Sequence, residues 1–365
     1  MLSSSPRLRR ALGLLALVVA SAAVSLLAVE ALVRILGQEA AQPTGLKLTI
    51  PAPPDPELLG LPVITQVREL RQPNARGVNA GVLYRSNSLG IRGPDYSRQP
   101  PPGVFRITVS GDSVTMGYGV REEDAYPAVL ERLLNAGSGD YRFEVINLGI
   151  SGLNILHSLR RLETKGRLYN PDLVVYGFTL NDIEGGGYVR NTPEAQQRYS
   201  ALLHRHADSR SRLLSLVWPR LVILAGSIQP LEGSYTKALD NNYFHNHKTR
   251  SRLNEGLDRL AKVGRIDGVC AHVFMHTRLE QLVFLHPYRR FYRLIEKKAT
   301  ARGLTVTQSY PKLRWHFAES LRRAALDPHP NVEGHRLFAE ALYEGLRELP
   351  PRCWEKQPRT TLSRE

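Results

Sequence analysis

Cysteine is scarce in this chain: Cys270 and Cys353 are the only two among 365 residues. Two cysteines exclude a disulfide-rich scaffold and a cysteine-rich zinc module. Cys270 lies in an apolar run, where a free cysteine behaves as a small hydrophobe; a disulfide to Cys353 is the alternative in an oxidising compartment, spacing does not decide it, and the reading taken is unpaired. Several signature strings are also missing. There is no phosphate-binding G-x-x-x-x-G-K, no strand–GxGxxG–helix fingerprint and no G-x-S-x-G elbow. His204 with His206, and His245 with His247, have no matching set of carboxylates or cysteines, so they are read as solvated histidines and no metal site is expected. Acidic residues are in deficit: 34 Asp and Glu face 49 Lys and Arg, a net charge of +15. Such a surplus suits nucleic acid, a membrane surface or an anionic polymer. With no zinc-finger spacing and no basic region joined to heptads, nucleic acid is not an expected partner.

What is present begins with a long apolar run. Residues 11–29 carry no charge, and Arg7, Arg9 and Arg10 precede them. Nineteen residues in a helix span ~30 Å, the thickness of a hydrocarbon core. The basic flank favours a cytoplasmic N-terminus. The reading is a basic N-region over 1–10 and a transmembrane anchor over 11–36, with the remainder on the extracytoplasmic, periplasmic side of a single-pass protein. A cleaved signal peptide ending near Ala20-Ser21-Ala22 is the competing reading, but the apolar run continues past that point to Val29.

Residues 37–103 read as a Pro-rich linker and N-terminal extension, with Pro43, Pro51, Pro53, Pro54, Pro56 and Pro62 early in it. From residue 104 to 349 apolar strands alternate with amphipathic helices. FRITVS (105–110), FEVINLG (143–149), LVVYGF (173–178), VCAHVFM (269–275) and LTVTQSY (304–310) read as strands. DAYPAVLERLLNAG (124–137), with Asp124 as N-cap, LHSLRRLETKGRL (156–168), YRRFYRLIEKKATARG (288–303) and GHRLFAEALYEGLREL (334–349) read as helices. This alternation predicts an α/β fold, a mostly parallel sheet covered on both faces. Residues at about 185–265 break the rhythm and read as a helical or loop insertion, and 350–365 as a tail.

Three strands in succession end in residue types that acyl transfer needs. Ser113, in Gly111-Asp112-Ser113, sits at a strand's carboxyl end, where open parallel sheets form their ligand crevice. Gly152, in NLGISGLN (147–154), can bring a backbone N–H into that crevice. Asn181, in TLNDI (179–183), can donate from its side chain to the same oxyanion. His329, in DPHPNVEGH (327–335), is a candidate base, and Asp327 a candidate orienting carboxylate. Taken singly, each string also fits an ordinary turn or helix cap; their order and placement make the combination informative.

These blocks resemble those of the SGNH or GDSL hydrolases. GDSVTMGYGV is similar to the nucleophile block, NLGISG to the second, TLNDI to the third and DPHPNVEGH to the last. The resemblance implies a three-layer α/β/α sandwich that works without metal or organic cofactor. It implies Ser113 as nucleophile, His329 as base, and an oxyanion hole formed by Ser113 N–H, Gly152 and Asn181. Two positions depart from the pattern. Thr179 stands where the third block usually has glycine, and Leu326 stands three residues before His329, where the acid usually lies; Asp327 is the acid chosen here. The expected activity is that of a serine esterase on an acylated small molecule, lipid or glycan. Its rivals are an O-acyltransferase or deacetylase of a cell-surface polysaccharide and a non-catalytic glycan-binding module.

Overall fold

The computed structural model describes residues 21, 24–32, 60–137, 140–280, 282, 286–324 and 327–356. Of the segment read as an anchor, only residue 21 and 24–32 fall among these, and they are helical. The basic 1–10 region, most of the apolar run, residues 37–59 and the end of the tail lie outside them. Among the described residues no helix is long and apolar enough to cross a membrane.

The larger of two compact units takes in Pro54–Asn191 and Tyr235–Glu365. It opens on an antiparallel hairpin, β1 (Arg76–Asn79) with β2 (Val82–Arg85). The central sheet follows: β3 (Val104–Gly111), β4 (Arg142–Asn147), β5 (Leu173–Phe178), β6 (Cys270–Met275) and β7 (Thr305–Gln308). Its order is β4-β3-β5-β6-β7 and every pairing is parallel. Every residue of β3 and of β5 is buried, because a parallel strand in the middle of such a sheet has helices on both faces. A separate antiparallel pair, β8 (Arg322–Ala324) with β9 (Asp327–Pro330), follows β7.

Side-chain alternation along the strands divides the core. Phe105, Ile107 and Val109 of β3 point to one face, with Leu173 and Val175 of β5. There they meet Tyr126, Leu130 and Leu134 of α2 (Tyr126–Asn135) and Leu337, Phe338 and Leu342 of α8 (Val332–Arg347). Short α1 (Ser113–Met116) precedes α2. Val174, Tyr176 and Phe178 point the other way. They meet Leu159 and Leu162 of α3 (Ile155–Thr164), Leu253, Leu257 and Leu260 of α6 (His247–Asp267), and Phe291 and Ile295 of α7 (Arg289–Thr300). Helices on both faces of a parallel sheet make the expected three layers. Helix α2 starts one residue later than its sequence suggested. Ala125 is the N-cap, and Asp124 ends a preceding 3-10 turn.

The smaller unit contains Thr192–Ser234, with helices α4 (Pro193–His204) and α5 (Arg212–Ile228). The Glu30 carboxylate belongs to it and accepts from Ser211 Oγ at 2.8 Å and from the N–H groups of Arg212 and Leu213, each at 2.9 Å. It thereby satisfies free donors at the N-terminus of α5.

The two cysteines are paired, contrary to the reading from sequence: a disulfide joins Cys270 to Cys353, with Cα atoms 5.3 Å apart. After α8 the chain turns back through the 3-10 segment Pro351–Trp354 and brings the buried Cys353 to the first residue of β6. A separation of 83 residues says nothing of this return, which only the packing of α8 and the tail determines.

Candidate active site

Strand β3 delivers Ser113 to the carboxyl end of the sheet, and α1 begins on it. Asp112 is the N-cap of α1, its carboxylate accepting from Val114 N–H at 3.0 Å. Gly111 is required by close packing: a Cβ there would lie 2.1 Å from Thr115 Oγ1 and 2.7 Å from the Gly177 carbonyl. Ser113 itself is only 6% exposed and lines a surface cavity.

His329 reaches this hydroxyl from β9. Its Nε2 lies 2.9 Å from Ser113 Oγ and its Nδ1 2.6 Å from Asp327 Oδ1. Asp327 also accepts the His329 backbone N–H at 3.1 Å and is paired with Arg323 at 3.0 Å. Partial burial works against the Asp327 charge, but the hydrogen bonds from His329 outweigh it and hold the carboxyl below its ordinary value. An acid two residues before the histidine therefore reaches it, since both lie on the same short strand. The Tyr118 ring packs on His329 with centroids 4.5 Å apart. Asn331 caps α8 by accepting from Gly334 N–H at 3.0 Å, fixing the strand's exit.

Asn181 follows β5 on the 3-10 turn Leu180–Ile183 and lines the same cavity as Ser113 and His329. Its side chain lies near enough to Asp112 to favour that group's charged form. The cavity measures about 210 Å³, and Val114, Leu279, Pro330 and Phe338 give it an apolar wall. Gly152 stands apart. It has φ +74°, is exposed, and is not among the residues that line this cavity. The glycine of its block that abuts α1 is Gly149, where a Cβ would lie 2.3 Å from Met116 N.

Several supporting residues escaped the sequence reading. Arg92, 3% exposed, comes from the N-terminal extension and donates to the carbonyls of Met116, Gly117 and Val120, tying down the turn that follows Ser113. Asn147 Nδ2 donates to the Thr115 carbonyl at 2.8 Å. Asp182, fully buried, accepts from Tyr176 hydroxyl at 2.9 Å and from Thr179 N–H at 3.0 Å. Arg92 had no local signal. Asp182 had one, the acidic residue beside the candidate amide. Among the described residues no group of His, Cys, Asp and Glu could hold a metal ion.

A serine hydroxyl, an imidazole and a carboxylate in one hydrogen-bonded line, at the carboxyl end of a parallel sheet, have the geometry of a serine hydrolase. The sequence model of the GDSL-like lipase/acylhydrolase family matches residues 109–337, well over half the chain. The chain belongs to that family and is an ester-bond hydrolase. Among curated protein sequences none matches it. Solved structures similar to it include the acetyl xylan esterase AlAXEase (15% identity, TM-score 0.39, covering 66% of this chain and 100% of that one). They also include Axe2, an acetylxylan esterase from Geobacillus stearothermophilus (16%, 0.40, 66% and 94%), and TesA (17%, 0.36, 66% and 98%).

Proposed function

We propose that this chain is a serine esterase that removes a short O-acyl group through an acyl-enzyme on Ser113, at the outer face of the cytoplasmic membrane. The observation that carries the reading is the continuous line from Asp327 through His329 to Ser113, with contacts of 2.6 and 2.9 Å. His329 takes the Ser113 proton as Oγ attacks the ester carbonyl carbon. The carbonyl oxygen becomes an oxyanion, held by the Asn181 amide and by the backbone N–H of Ser113. His329 then passes its proton to the leaving alkoxide. A water that His329 deprotonates attacks the acyl-enzyme, and collapse releases the acid and restores Ser113. Asp327 holds the imidazole in the orientation both transfers need.

A short acyl group is the substrate class that the site favours. The cavity, about 210 Å³, is below the ~300–1,000 Å³ of sites that enclose drug-sized ligands, and its apolar wall suits an acetyl-sized group. The uncharged run over 11–29 supports an anchor, and the Cys270–Cys353 disulfide fits an oxidising, extracytoplasmic compartment. The acyl group's carrier would then be a cell-surface glycan or lipid. Hydrolysis of p-nitrophenyl acetate by the full-length protein tests the reading. Turnover should fall at least ~10³-fold in Ser113→Ala while the folded state persists. Equal turnover in that variant would overturn it.

A further inference from the structure

Thr179 occupies the position where sequence resemblance leads one to expect glycine. Its backbone explains why glycine is not needed: φ −114° and ψ 155° are ordinary extended values. Its side chain does something glycine cannot. Thr179 Oγ1 lies 2.8 Å from Asp112 Oδ2 and 3.0 Å from Asp182 Oδ1. The two carboxyl groups are 1% and 0% exposed.

A hydroxyl carries one proton and can donate to only one of them. The second contact is a hydrogen bond only if a carboxyl supplies the proton. The other partners show which one does. Asp182 Oδ2 already accepts from Tyr176 hydroxyl and Thr179 N–H, leaving Oδ1, the atom facing Thr179, to carry a proton. Asp112 faces two donors, Thr179 hydroxyl and Val114 N–H, with the Asn181 side chain and His329 close enough to favour its charge.

We propose that Thr179 is a positioning residue: its hydroxyl accepts from a protonated Asp182 and donates to an ionised Asp112, which in turn holds the Asn181 amide ready for the oxyanion. The chain of bonds runs Asp182 Oδ1–H to Thr179 Oγ1–H to Asp112 Oδ2. Burial and then the neighbouring Asp112 charge push the Asp182 carboxyl well above its ordinary range. Burial also raises Asp112, but every hydrogen bond to it favours the charged form. The relay leaves one negative charge behind the site instead of two, so less repulsion meets the developing oxyanion. The inference rests on Asn181 being an oxyanion donor, as in the proposed function.

Two readouts on the full-length protein test it. Infrared difference spectroscopy at neutral pH should show a protonated-carboxyl C=O band that disappears in Asp182→Asn and not in Ser113→Ala. On p-nitrophenyl acetate, Thr179→Val should lower kcat about tenfold or more with little change in KM, because the interaction acts on the transition state. Thr179→Ser, which keeps the hydroxyl, should recover most of the loss. Asp112→Asn should lose at least about tenfold more kcat than Asp182→Asn, since an amide imitates a neutral acid but not a carboxylate. The proposal is overturned by absence of the band, by Asp182→Asn being as damaging as Asp112→Asn, or by Thr179→Val staying within about twofold of the parent. If Thr179→Val does not fold, the serine variant and the band decide. A parent protein without esterase activity would remove the proposed function, while the band would still decide the proton assignment.

Discussion

Ser113 and His329 meet across 2.9 Å, yet unlike parts of the chain hold them. Ser113 opens α1 just after β3, a strand buried along its whole length, and α1 is fastened by Arg92, Asn147 and the close approach of Gly149. His329 and Asp327 stand on β9, which pairs with three-residue β8, outside the main sheet. Their side chains are 27% and 24% exposed. The proposed nucleophile is thus positioned by the core, and the proposed base by a local set of hydrogen bonds, the Tyr118 ring and the Asn331 cap. The division suits the chemistry. The nucleophile's place relative to the oxyanion donors must be fixed, whereas the imidazole must serve two proton transfers in succession.

The comparison can be broken most severely at Asp327. If local bonds alone hold the base, Asp327→Asn should lower kcat about 10²-fold or more, with unfolding midpoint nearly unchanged, since the bond it removes orients His329 and stabilises its charged form. Steady-state kinetics beside thermal unfolding measure both quantities, and a large drop in midpoint would place the base in the core after all. The smaller effect, on stability only, lies at the opposite end of the sheet unit. Removing the disulfide with Cys353→Ser should destabilise the fold by about 2–4 kcal/mol in urea unfolding and leave kcat intact, because the clasp joins the tail to β6 and touches none of the reacting groups.

The same division governs what the sequence made legible. The strands ending in Gly111, Asn147 and Phe178 were visible because a doubly covered parallel strand reads as a continuous apolar run. Ser113, His329 and Asp327 were visible because each lies in a short block at a strand end or before a helix cap. Arg92 was not, because it acts on Met116 and Gly117 from 24 and 25 residues away. The disulfide was hidden for the same reason at larger separation. Thr179 looked like a defect in its block. Only the approach of Asp112, 67 residues earlier in the chain, gives its hydroxyl a purpose. Gly152 was singled out from a string of two glycines, and the packing shows Gly149 to be the one held against α1.

The most direct test of the central claim is to label the folded, full-length protein with a fluorophosphonate and map the modified peptide. The account predicts modification at Ser113, suppressed in His329→Ala because the hydroxyl then has no base. A folded sample that leaves Ser113 unmodified, or carries the label on another residue, would contradict it.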